Sequence, residues 1–320
     1  MPIPIFTVKK SGLLTTIQDS GRWGYQSFGI PASGAMDTFS YRIANALVGN
    51  PLHAAVLEIT LAGPHMYAEH DVIIAICGAD LSPQINGKPA PMWTSLQLRR
   101  GDVITFGRQI SGARTYVSIA GEFELPYVFG SQATELKTNT GGYFGRPLQK
   151  GDVLYAKQLR NHPRLIGRKL KRNDIPNFPK EITARIIIGP HSHFFTKETL
   201  SILLSETYTV SLQSDRMGYR LEGPKLMTKT REEMRSETTM FGSLQVPPSG
   251  QPIILMADRQ TTGGYPIIGT VISVDLPKIA QAVPGAKICF QKTTVEEAQN
   301  ELQKREKWLR LLEKLHGGFR

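Results

Sequence analysis

The chain has 320 residues, of which 40% are hydrophobic and 20% charged, and a formal net charge of +11. That length accommodates two domains with buried cores, and the composition excludes an intrinsically disordered chain. The apolar runs, such as VIIAIC at 72–77, are strand-sized and too short to span a bilayer.

The first residues, MPIPIFTVKK, lack the apolar core and cleavage site of a signal peptide, so a cytoplasmic protein is expected. Spread between short apolar runs, 30 glycines and 21 prolines predict a mainly β protein with many turns. IQDSGRWGYQSFGIP at 17–31 is turn-rich and gathers Gln18, Asp19, Ser20 and Arg22. A helix is predicted over 37–48, with Asp37 as N-cap and Gly49 as terminator. HDVIIAICGADLSPQINGKP at 70–89 reads as strand, turn, strand, with Asn86-Gly87 at a hairpin position. LRRGDVITFG at 98–107 and LQKGDVLYA at 148–156 each place Gly-Asp at a turn before a β-branched strand. FGSQAT at 129–134 adds a second polar cluster, with Ser131 and Thr134.

KQLRNHPRLIGRKLKR, at 157–172, holds seven Lys or Arg and no acid. It predicts a basic connector over 157–180 between an N-terminal β unit, 1–156, and a C-terminal β unit, 181–293. A solvated linker, a surface for an acidic partner or a nucleotide phosphate, and a nucleic-acid contact all remain open for it. The chain carries no helix-turn-helix, zinc-finger or RNA-binding signature, so nucleic acid is not an expected partner.

In the second unit, ITARIIIGP, QPIILMAD and AKICF read as strands. HFFTKETLSILLS at 193–205 and DLPKIAQAV at 275–283 read as short helices. His191-Ser192-His193 lacks a third ligand, and no metal site is expected. The phrase LQSDRMGYRLEGP at 212–224 repeats Arg-x-Gly-Tyr, Arg216 to Tyr219, after Arg22 to Tyr25. RGDVITF and PGAKICF echo one another in the same order. Together they suggest two related halves whose facing loops build one cleft. The last segment, 294–320, carries Leu302, Trp308, Leu311, Leu312 and Leu315 at helical spacing. This amphipathic helix packs on its own domain or docks on a partner protein.

The densest polar cluster is GSLQVPPSGQPIILMADRQTTGGYP, 242–266. Gln245, Gln260, Thr261 and Thr262 can fix a polar ligand, and the Gly263-Gly264 backbone before Tyr265 can approach it closely. Asp258 can accept a proton or hold a cation. A hairpin with a capped turn explains the same residues equally well. Arg22 and Arg216 suit bidentate clamping of carboxylate or phosphate, or internal salt bridges to Asp19 and Asp215. Cys77 and Cys289, each inside an apolar run, are expected to be buried thiols. The chain has no phosphate loop, dinucleotide fingerprint, nucleophile elbow or Met-Lys-Met biotin-attachment sequence. The residues alone do not name a reaction.

TIQDSGRWGYQSFGIPASGAMD, NALVGNP, LEITLAGP, FGSQAT, SDRMGYRLEGP, SLQVPPSGQPIILMADRQTTGGYP and DLPKIAQAVPG follow in order from Thr15 almost to Phe290. As a set they resemble the KipA family, also called allophanate hydrolase subunit 2 or the 5-oxoprolinase C-subunit family. The resemblance implies two cyclophilin-like β-barrel units in tandem and kinship with the carboxyltransferase domain of biotin-dependent urea carboxylase. It implies ATP-dependent opening of 5-oxoproline to L-glutamate, with ATP and Mg as co-substrate of a complex and no biotin on this chain. The implied partners are a KipI-type 5-oxoprolinase subunit and a LamB/YcsF-type one, and the chain alone is expected to be inactive. Alternatives are a KipI-binding antagonist that relieves inhibition of a sporulation histidine kinase, or a carboxyltransferase acting on a urea-like amide. On the first reading Asp19, Arg22, Asp37, Arg216 and Asp258 are candidate catalytic residues. Gln18, Ser131, Thr134, Gln245, Gln260, Thr261, Thr262, Gly263, Gly264 and Tyr265 are candidates for binding substrate or nucleotide. One departure stands out: after TYVSIA the family commonly has Gly-Gly, and this chain has Gly121-Glu122.

Overall fold

A computed structural model describes residues 2–229 and 234–316. The chain divides into two compact units. The first comprises Met1–Arg22, Ser33–Phe178 and Lys307–Arg320; the second comprises Trp23–Ala32 and Pro179–Glu306.

The first unit spreads its strands over two sheets. One runs in the order Val153–Ala156, Ile3–Lys10, His65–Ala68, Val103–Phe106, Pro83–Ile85 and Lys88–Pro89. The other runs Leu14–Gln18, Val56–Thr60, Ser111–Ile119, Val72–Asp80 and Ser95–Leu98. Strand Val72–Asp80 explains the unbroken apolar run at 72–77. Its period of two sends Val72, Ile74 and Ile76 into one core and Ile73, Ala75 and Cys77 into another. A strand covered on both faces needs no polar alternation.

The second of those cores is closed by helices. Helix α1 (Ser40–Leu47) contributes Ile43, Ala44 and Leu47. The helix starts at Ser40, three residues after the expected Asp37, whose carboxylate holds the preceding turn by accepting from the backbone N–H of Phe39 and Ser40; Gly49, at φ 76, follows its end. The segment around 308–312 joins this core, where Leu309 is buried and Trp308 stacks on Phe39 with ring centroids 5.9 Å apart. The expected apolar stripe is only partly used, because Leu302, Leu311 and Leu315 are exposed.

The basic connector is folded onto this unit rather than solvated throughout. Leu165 and Leu170 are buried in the same core. Gly167 N–H donates to Ser95 O and Ser95 N–H to Arg168 O. The chains of Arg164, Lys169, Lys171 and Arg172 remain exposed.

In the second unit seven strands close into a barrel. Their order is Glu181–Ile188, Ile267–Val271, Ser243–Gln245, Ile253–Leu255, Gly218–Glu222, Thr207–Val210 and Lys287–Lys292. Parallel pairing of the first strand with the last, Glu181 opposite Lys287 through Ile186 opposite Lys292, closes it. A two-stranded ribbon, Glu237–Thr238 with Thr262–Gly263, stands beside the barrel. Helix α2 (Lys197–Ser205) starts four residues after the expected His193, where the Thr196 hydroxyl accepts from Thr199 N–H. Helix α3 (Leu276–Ala280) follows strand Ile267–Val271, and helix α4 (Val295–His316) opens on a capping box. There the Thr294 hydroxyl accepts from Glu297 N–H while the Glu297 carboxylate accepts from Thr294 N–H.

Two expectations change. Cys77 is buried, but Cys289 is exposed. Alternation along Lys287–Lys292 turns Ile288 and Phe290 inward and Cys289 outward, 3.1 Å from the Thr207 hydroxyl. The Arg-x-Gly-Tyr phrases also take unlike backbones. Gly24 lies in a loop at φ 95, whereas Gly218 opens a barrel strand and Tyr219 is buried, donating to Ala280 O. Their common feature is a buried arginine, Arg22 and Arg216. RGDVITF and PGAKICF do correspond locally: each has a glycine at positive φ, Gly101 and Gly285, before a strand. Among the described residues no helix is long and apolar enough to cross a membrane.

Candidate functional site

Within the first unit the clusters at 17–22 and 129–134 come together. Asp19 Oδ1 accepts from Gly21 N–H and from the Ser131 hydroxyl, at 2.8 and 2.7 Å. Its Oδ2 accepts from Gln132 N–H at 2.6 Å. Gln18 Nε2 donates to the Thr16 hydroxyl and to Thr134 O, and the Thr134 hydroxyl donates to Ile17 O. The guanidinium of Arg22 donates through Nη2 to Ala133 O. A Cβ on Gly141 would stand 2.1 Å from that oxygen and 2.6 Å from Nη2, so a glycine is needed for this closeness. Gln18, Asp19, Arg22, Ser131 and Thr134 are all buried. Their bonds tie the 129–134 loop to strand Leu14–Gln18, which is the geometry of a brace. Gln18 Oε1 is buried without a hydrogen-bond partner.

Asp37 belongs to a different network. Its Oδ2 accepts from the Ser40 hydroxyl, while its N–H meets the hydroxyl oxygen of Tyr116. Tyr116 in turn donates to Glu58 Oε2 at 2.8 Å, and the Arg114 Nε lies 3.7 Å from the other oxygen of Glu58. Burial, then the charges of Glu58 and Asp37, push the Tyr116 phenol well above its usual range. The phenol is held neutral as a donor.

The second unit builds a site around the 258–265 segment. Arg216 grips Asp258 in bidentate fashion: Nε to Oδ2 at 2.8 Å and Nη2 to Oδ1 at 2.9 Å. Both side chains are buried, 4% and 5% exposed. The neighbouring acid Asp215 instead accepts from the N–H groups of Met217 and Gly218, forming the turn before the barrel strand. Beyond Asp258, Gln260 Nε2 donates to Gln245 Oε1 at 3.3 Å, and Gln260 O accepts from the Thr239 hydroxyl. Thr261 O receives Thr239 N–H, and Thr262 and Gly263 form the ribbon with Glu237 and Thr238. A Cβ on Gly263 would lie 2.6 Å from Gln245 Nε2 and 3.3 Å from Gln260 Nε2. The bare glycine therefore lets two carboxamide nitrogens pack close against its backbone. Gln245 Nε2 is buried with no hydrogen-bond partner. Gly264 is exposed, and Tyr265 is 45% exposed at the end of the segment.

His191 joins this region without any sequence signal beyond the weak His-x-His. Ile267 N–H donates to its Nδ1 at 3.0 Å, which leaves the proton on Nε2, 3.1 Å from Glu237 Oε2. The imidazole thus fastens the ribbon that carries Gly263 to strand Ile267–Val271. Its partner, 46 residues away in sequence, follows from barrel closure and not from local pattern. Among the described residues no group of three or more His, Cys, Asp or Glu is arranged to hold a metal ion.

The comparison with known families decides the kinship: residues 28–292 match the carboxyltransferase domain, subdomain A and B. The chain belongs to that family. It is 37% identical to the C subunit of 5-oxoprolinase from Escherichia coli (strain K12), over 95% of this chain and 96% of that protein. It is equally 37% identical to the 5-oxoprolinase C subunit of Haemophilus influenzae, over 92% of this chain and 93% of that one. Among solved structures, K. lactis urea amidolyase superposes with a TM-score of 0.87 at 29% identity. That match covers 97% of this chain but 20% of the amidolyase chain, so the two share one domain. The carboxyltransferase-like fold and the relation to the 5-oxoprolinase C subunit match what the ordered motifs implied.

Proposed function

We propose that this chain is the C subunit of an ATP-dependent 5-oxoprolinase, working with a KipI-type partner and a LamB/YcsF-type partner. The observation that carries the reading is the end-to-end match, at nearly equal length, to two proteins named as 5-oxoprolinase C subunits. A lactam carbonyl is a poor electrophile. Transfer of the γ-phosphoryl group of Mg-bound ATP to its oxygen, by this chain and the KipI-type partner together, makes C5 open to water. Water adds to C5, the C–N bond breaks and the nitrogen takes a proton, which leaves an acyl phosphate; a second water attacks its carbonyl carbon, and phosphate departs with the former lactam oxygen to leave L-glutamate. Donors fixed in advance for a developing oxyanion are what such a step requires.

On this reading the Gln245, Gln260, Thr261, Thr262, Gly263, Gly264 and Tyr265 segment receives substrate or nucleotide. Arg216 and Asp258 hold that segment's base to the barrel. The Asp19, Arg22, Ser131, Thr134 and Gln18 group shapes the corresponding loop of the first unit, and Asp37 sets the start of helix α1. The test is positional isotope tracing with the assembled three-protein complex. 5-Oxoproline labelled with ¹⁸O at the lactam carbonyl is expected to deliver one label per turnover to inorganic phosphate. Label retained wholly in glutamate would refute this route. A stable complex with the KipI-type partner that forms no glutamate at all would favour the antagonist role.

A further inference from the structure

Arg259 is a buried cation that the barrel leaves uncommitted to any carboxylate among the described residues. Its neighbour Asp258 is engaged on both oxygens by Arg216. Arg259 itself is 6% exposed. One nitrogen, Nη1, makes a long 3.4 Å bond to Met256 O, and Nε is buried with no hydrogen-bond partner. The guanidinium carbon lies over the Phe241 ring, 5.8 Å from its centroid, a contact that takes up none of its N–H donors. Burial pulls the guanidinium pKa down to about 10, against the smaller opposing pull of Asp258. A desolvated cation with an unmet donor is costly unless an acceptor completes it. The next residue, Gln260, leads to a second unmet donor, because its carboxamide bonds Gln245, whose buried Nε2 lacks a partner. The barrel pairs Asp258 with Arg216 and leaves Arg259 its charge.

We infer that Arg259, not Arg216, reads the oxyanion of the ligand bound at the 258–265 segment, a carboxylate or a phosphoryl group. This rests on the proposed function for the choice of ligand, although the charge argument does not. Two sources share that chemistry: the carboxylate of 5-oxoproline and the phosphates of a nucleotide.

The experiment is calorimetric titration of the full chain with 5-oxoproline, with its uncharged analogue 2-pyrrolidinone, and with inorganic pyrophosphate. It is run on wild type, Arg259→Lys and Arg259→Gln, with thermal unfolding measured on each. Losing hydrogen bonds to a charged partner corresponds to roughly a ten- to hundredfold drop in affinity. Arg259→Gln is expected to weaken the anion that binds by that factor. Arg259→Lys is expected to recover part of it, and any 2-pyrrolidinone binding is expected to stay unchanged. Loss confined to 5-oxoproline assigns a carboxylate subsite, and loss confined to pyrophosphate assigns a phosphate subsite. Wild type that binds neither anion, or an Arg259→Gln variant that binds them equally well, overturns the inference. So does a variant that loses anion and uncharged analogue alike with a lowered unfolding temperature, since that is a packing role. Arg259-dependent anion binding without glutamate formation by the complex would leave the inference standing and sink the proposed function.

Discussion

Replacing Arg216 with alanine separates a structural from a ligand-clamping arginine. The substitution strands Asp258, a carboxylate 5% exposed, after removing two charge-assisted bonds of 2.8 and 2.9 Å. Breaking a buried ion pair by deleting one partner costs about 3–5 kcal/mol, because the surviving charge is uncompensated. The same deletion made from the other side, Asp258→Ala, is expected to cost a similar amount. Arg216→Met combined with Asp258→Leu removes both charges and is expected to regain most of the loss. Urea unfolding of the isolated chain, followed by circular dichroism, measures all three. An Arg216→Ala protein with a wild-type midpoint would refute the bracing role, and abolished turnover in the complex would then make Arg216 the clamp.

Four further outcomes are expected. One thiol per native chain, Cys289, is expected to react promptly with a thiol reagent and the second only in denaturant, since Cys77 is buried and its thiol pKa is pushed well up by desolvation; two prompt thiols would contradict the strand alternation. Burial works to raise the Asp275 carboxyl, but hydrogen bonds from Arg185 and Lys278 outweigh it and hold the group below its ordinary value. Its stabilising contribution is therefore complete above the unfolded pKa of about 3.9 and is lost as pH falls through the lower folded value. The gap in unfolding temperature between wild type and Asp275→Asn is expected to narrow as pH drops below about 4, and a constant gap would contradict this. Gly121→Ala is expected to be strongly destabilising, because a Cβ there would lie 1.8 Å from Gln158 O. Glu122→Gly is expected to remain within about 1 kcal/mol of wild type, since relief at φ 70 offsets the added freedom of the unfolded chain; denaturant midpoints decide both.

Local chemistry carried far in this sequence. Glycine-led strands, the Asp37 and Gly49 punctuation of helix α1 and the amphipathic tail are set by nearest neighbours, and they were legible. What pairs across the chain was not. Asp215 sits beside Arg216 in sequence and looks like its partner, yet it closes a turn while Asp258, 42 residues on, takes the ion pair. AKICF reads as an apolar block, but a barrel strand buries alternate residues, and Cys289 falls on the outer face. The repeated Arg-x-Gly-Tyr reads as one motif used twice, although its glycines take different backbone conformations. Identical short phrases do not fix φ and ψ when their surroundings differ. For the site, the ordered polar clusters were visible, whereas the His191–Glu237 pair and the spare charge of Arg259 depend on which groups the fold has already satisfied.

A role as the C subunit of a 5-oxoprolinase is read out by glutamate release from 5-oxoproline and ATP when this chain is mixed with KipI-type and LamB/YcsF-type partners. The measurement is repeated with each protein withheld and then added back. Glutamate formation is expected to stop without this chain and to return when it is restored. Undiminished glutamate formation by the two partners alone would contradict that role.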